Sequence, residues 1–160
     1  MILGLTAALG MAAVVFAPDT AEAQASGQII LTQNKIPTNV GKKKLRKFLR
    51  KNRKKKISKR PGSNVYQVYV AAKLRRKPSG ADVKRNGGQL HIAFYKRTKR
   101  GWKYANVMHI TYSQGRVLIF PMQISGDLGL EKNKLYQMRL TIFDKRKKER
   151  ILAKTTFKLK

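Results

Sequence analysis

The sequence predicts a mainly β chain: an antiparallel β-sandwich of about seven strands, with one short basic amphipathic helix between the first two strands. Two observations carry this. From residue 61 onward, apolar residues alternate with polar ones through six short segments, each bounded by glycine, proline or charged turns. Within residues 42–60 the period is that of a helix instead, and thirteen of the nineteen residues are Lys or Arg with no acid among them. An open β-barrel is the alternative to the sandwich.

Composition bounds the rest. The chain has 160 residues, 42% of them hydrophobic, and a net charge of +30 from 37 bases and seven acids. The length suits one compact domain, and the apolar share belongs to a globular protein rather than a disordered polycation. Charge of this size predicts attraction to nucleic acid, anionic lipid or acidic polysaccharide. No cysteine is present, which excludes disulfides, thiolate metal sites, a cysteine nucleophile and the modified cysteine of a bacterial lipoprotein.

Residues 1–17, MILGLTAALGMAAVVFA, are small and apolar, and Ala21-x-Ala23 and Ala23-x-Ala25 fit signal-peptide cleavage. Residues 1–25 therefore read as a cleaved signal peptide, with the mature chain starting at Gln24 or Ser26. A retained anchor and a buried core helix are the other readings. No Lys or Arg precedes the apolar run, so either the true start lies upstream of Met1 or export relies on the apolar run alone. The predicted location is exported: periplasmic, cell-surface or extracellular. Cleavage removes Asp19 and Glu22 and leaves 37 bases against five acids. Residues 26–60 then hold the first strand, the basic helix and an arm, and 61–160 form the β body.

Gln28 to Ile36 (QIILTQNKI) has β-branched and apolar residues in a short run, and Pro37 ends it, giving the first strand. In the basic stretch Leu45, Phe48 and Leu49 fall within one helical arc, the stripe of a helix that lies on a core. Continuing the helix would carry Lys56 onto that stripe, so Asn52 is the predicted terminator and the helix spans roughly 42–51. Arg53 to Arg60 reads as a flexible arm. Four like-charge pairs at i,i+4 (Lys42–Arg46, Lys43–Lys47, Arg46–Arg50, Lys47–Lys51) each cost roughly 0.2–0.5 kcal/mol. Burial of the three apolar residues returns about 1.5–3 kcal/mol each, so the helix forms only where it docks. Docked, it is a surface helix with solvated lysines, a dedicated anion-binding helix or a membrane-surface helix.

The alternating segments are 65–74, 89–97, 102–112, 117–124, 135–144 and 151–159, and KPSGADVKRNGG reads as a turn-rich linker. Pro121 places the fourth of these at an edge or bulge. The loop GDLGLEKNKLY, a glycine turn leading into Tyr136, resembles the strand entry of immunoglobulin-like bacterial domains, which implies an immunoglobulin-like sandwich.

Antiparallel strands joined in succession alternate their connections between two ends. The basic helix and the hairpin around Lys99-Arg100-Gly101 would then share one end, and the Arg75–Lys77 loop and the Lys145–Arg150 hairpin the other. The predicted polyanion-binding residues are Lys42, Lys43, Lys44, Arg46, Lys47, Arg50, Lys51, Arg53, Lys54, Lys55, Lys56, Lys59 and Arg60, joined by Lys96, Arg97, Lys99, Arg100 and Trp102. Cations meet phosphate, sulfate or carboxylate while an exposed indole stacks on bases or sugars. Equally, Trp102, Tyr95 and Tyr104 can simply pack across strands.

Nothing reads as an enzyme. His91 and His109 lie on different strands without an acid nearby in sequence, and no Gly-x-Ser-x-Gly elbow or phosphate-cradling glycine loop occurs. No metal or cofactor is called for. The function predicted is non-catalytic, electrostatic binding of an anionic polymer or surface: extracellular DNA, lipopolysaccharide, acidic polysaccharide or anionic lipid. The alternative is a structural or accessory subunit of a cell-envelope assembly that recognises an acidic protein partner.

Overall fold

The computed structural model describes residues 27–125 and 128–160; the apolar segment 1–25 lies outside the described residues. Eight strands and two helices follow in the order β1 (Gly27–Thr32), α1 (Lys42–Asn52), β2 (Lys56–Ile57), β3 (Tyr66–Lys73), α2 (Gly80–Arg85), β4 (Gln89–Thr98), β5 (Gly101–Thr111), β6 (Val117–Ile124), β7 (Leu135–Phe143) and β8 (Glu149–Leu159). The chain is mainly β, and six of its strands fall on the six alternating segments of the sequence.

The strands form one continuous sheet in the order β5-β4-β7-β8-β1-β3-β6, with β2 added beside β8. The expected immunoglobulin-like sandwich of two packed sheets does not emerge from this pairing. The sheet is instead open and strongly curled, nearer the barrel alternative, and the reason is a short connection. Only residues 112–116 join β5 to β6, which are the two edges. From Thr111 to Val117 an extended chain reaches about 21 Å. Six strand spacings in a flat sheet need about 29 Å. The edges must therefore curve toward each other. One buried cluster accordingly unites Leu90, Ile92 and Phe94 near one edge with Val68, Val70 and Leu118 near the other. Tyr136, Met138, Leu140 and Ile142 of the central β7, each at most 1% exposed, complete it.

Strand directions follow from the ladders. β1 and β8 are parallel, as are β2 and β8, and every other pair is antiparallel. At the upper end, where β1 and β8 finish, lie residues 53–60, the β4–β5 hairpin and the start of β7. At the lower end lie Arg75–Lys77, α2 and the β7–β8 hairpin. The spatial order is not a meander, yet the alternation of ends survives.

α2 forms where the sequence suggested only a linker. Ser79 caps it, its hydroxyl accepting from the Asp82 N–H at 3.1 Å, and Gly87 and Gly88, both at positive φ, end it. β6 is an edge strand, as Pro121 requires.

Candidate anion-binding surface

α1 does not cap an end of the sheet. It lies on the outer face of β1, β3 and β6, opposite the main core. Ile36, Leu49 and Ala71 are buried together there, with Leu45, Phe48, Ile30, Tyr69 and Ile119 partly buried around them. The stripe of Leu45, Phe48 and Leu49 thus docks as its spacing predicts. The helix ends at Asn52, whose amide donates to the Phe48 carbonyl at 2.9 Å and whose Oδ1 accepts from Asn34 at 2.7 Å. No acid sits in its first turn, where Lys42, Lys43 and Lys44 oppose the helix dipole; Arg50 and Lys51 complement it in the last turn.

The predicted flexible arm is anchored. Ile57, the only apolar residue among its bases, is fully buried and pairs with Leu159. The Lys54 N–H donates to the Leu31 carbonyl at 2.8 Å, and the Lys158 and Lys160 N–H groups donate to Lys55 and Ile57 at 2.8 Å. β1 stays beside β8 only at Gly27 and Gln28 and then diverges, so β2 takes the vacated lane. Burial of one isoleucine therefore converts an arm into a strap.

All thirteen bases of residues 42–60 are exposed. Among the described residues no carboxylate pairs with any of them. Lys59 instead sits over the Tyr66 ring, 5.5 Å from its centroid. The strap faces the β4–β5 hairpin across three strand spacings, about 14 Å along the sheet. In that hairpin Arg97, Lys99 and Arg100 are exposed. Trp102 is only half-exposed, with the Arg97 guanidinium 5.3 Å from its ring, so one indole face is already occupied. Lys96 departs from the predicted set of free cations, because its ammonium hydrogen-bonds Glu131. That bond holds Lys96 above its usual pKa range and Glu131 below its own.

The ends differ in how their charge is answered. Glu131 is the only described acid at the upper end. At the lower end Asp82 pairs with Arg85 at 2.9 Å and with Arg150 at 3.7 Å. Asp144 accepts from the Arg146 and Lys148 N–H groups within its own turn, which holds its carboxyl below the usual range.

Two features escaped the sequence reading because they join residues far apart in the chain. On the outer face Arg139, 9% exposed, lies 4.0 Å over the Tyr95 ring and donates to Gln137 at 2.6 Å. Where β1 leaves β8, Arg53 and Lys55 meet Lys154 around a hollow of about 410 Å³. His91 and His109 pack edge to face at 4.8 Å, with Phe143 on the other side of His91. Tyr95 and Tyr104 pack likewise at 5.8 Å. Of the three aromatics that could pack across strands, Tyr95 and Tyr104 do so, and Trp102 is met by its register partner Arg97.

No known family model matches this chain, and no curated protein or solved structure is similar to it at a significant level.

Proposed function

We propose that the protein is an exported, non-catalytic binder of anionic polymers or surfaces, with the tract 42–60 as its principal contact and the β4–β5 hairpin as a secondary one. The observation that carries this reading is the fixed display of thirteen exposed bases that no acid among the described residues answers. A solubilising charge would not need clustering, and a tethered strap loses less entropy on binding than a free arm. Such a contact is sequence-tolerant and steeply dependent on salt, because each neutralised phosphate or sulfate releases counterions. Binding of DNA and heparin across a salt series tests it. Affinity that ignores salt would favour instead an acidic protein partner within a cell-envelope assembly, held through a desolvated apolar anchor.

A further inference from the structure

A groove of about 650 Å³ runs between α1 and the outer face of β1, β3 and β6. Its floor is apolar: Ile30 and Ala71 from the sheet, Leu45 and Leu49 from the helix, and Val117 at the mouth. Its rim is cationic, made by Lys42, Arg46, Arg50 and Arg53 with Lys73 opposite, and no acid is among the described residues that line it. We propose that this groove binds an anionic amphiphile, an acyl or alkyl chain carrying a phosphate, sulfate or carboxylate head. The proposal deepens the polyanion reading by specifying lipid as the surface, and it rests on that reading for the sign of the head group.

The register explains why the groove is open. On the outer face the row Ile30–Ala71–Ile119 lies under the helix, while the next row down, Gln28–Lys73–Val117, does not. Val117 is left 49% exposed on an edge strand. The helix presents two adjacent ridges to this gap. Leu45 and Leu49 form one, which ends in Arg53. Lys42, Arg46 and Arg50 form the other, their backbone positions about 6 Å apart along the helix axis. An alkyl chain fits the first ridge and a charged head the second. A sulfated or phosphorylated polymer satisfies the rim and leaves the floor wet. The volume lies within the range of small-molecule sites.

The protein is titrated with octyl phosphate and dodecyl phosphate below their micelle-forming concentrations, followed by amide chemical shifts. Inorganic phosphate and dodecyl maltoside serve as head-only and chain-only controls. Affinity should rise about two- to fourfold per added methylene, with both controls at least tenfold weaker than dodecyl phosphate. Val117→Asn, which removes the apolar mouth without adding a charge beside the rim, should weaken dodecyl phosphate at least fivefold and leave heparin binding within twofold. Equal affinity for the two chain lengths, a comparison that needs no variant, would overturn the proposal. If the wild type binds heparin but shows no chain dependence, the groove fails and the polymer reading stands. If it shows chain dependence but ignores heparin, the groove stands and the polymer reading fails.

Discussion

Ile57 and Leu159 are register partners in a two-residue parallel ladder, and both are completely buried. This contact fixes the basic strap to the last strand. Replacing Ile57 with Ser removes its apolar burial and leaves a hydroxyl in the core. The expected cost is about 2–4 kcal/mol in urea unfolding. Amide exchange at Lys158 and Lys160, which donate to Lys55 and Ile57, should quicken most. Unchanged exchange there would show that the strap is held elsewhere.

Docking of α1 depends chiefly on Leu49, 8% exposed against Ala71 and Ile36. Leu49→Ala should cost about 2–4 kcal/mol and speed exchange throughout 42–52, since the isolated helix carries four like-charge pairs. Phe48 keeps its ring half-exposed, so Phe48→Ala should cost less, about 1–2 kcal/mol. Equal losses from the two variants would contradict this packing.

Gly27 sits where β1 enters between β3 and β8. A Cβ there would come 2.1 Å from the Lys73 carbonyl oxygen and 2.8 Å from both the Arg75 nitrogen and the Leu152 oxygen. All three are backbone atoms, two of them in paired strands, and cannot swing aside as a side chain would. Gly27→Ala should therefore cost at least about 3 kcal/mol or prevent folding, read by thermal unfolding. A near-neutral effect would mean that β1 does not thread this gap.

Burial, and then the neighbouring His109, lower the pKa of His91, while Glu149 opposes them. Its Nε2 lies 3.1 Å from Asn86 Oδ1, which also accepts from the Phe143 N–H, so the neutral ring serves as donor. The unfolded chain thus binds the His91 proton more tightly than the folded one. Stability should fall as pH drops through the ordinary histidine range and level off below the depressed folded value. His91→Gln keeps a donor for Asn86 and should flatten that decline in urea midpoints measured from pH 8 to 5.

How much of this was legible in the sequence differs by element. Period-two alternation placed six strands almost to the residue, and Leu45, Phe48 and Leu49 gave the docked face of α1. Alternation tells which residues face a core, but not whether that core lies between two sheets or inside one curled sheet. The short Thr111–Val117 connection decides that, and it does so only once β5 and β6 are known to be the edges. β2 was illegible because a single isoleucine among bases has no period. α2 had a readable cap in Ser79 and Asp82, masked by the glycines and prolines around it. The groove depends on Lys73 and Val117 lying just beyond the row that α1 covers, a placement set by strand register.

The central claim is that the strap and helix dominate anion binding. Changing Lys54, Lys55, Lys56, Lys59 and Arg60 together to Gln removes five bases that no acid among the described residues answers. The same change at Arg75, Arg76, Lys77, Arg146 and Lys147 removes five at the lower end, where Asp82, Asp144 and Glu149 lie. Both variants are titrated against duplex DNA and heparin from 50 to 200 mM salt. If six or more phosphates are contacted, wild-type affinity for DNA should fall on the order of a thousandfold over that range. The upper-end variant should bind more weakly and flatten the salt slope by several units, and the lower-end variant should lose much less. Equal losses from the two would contradict the account, because they would mean diffuse charge attraction without a site.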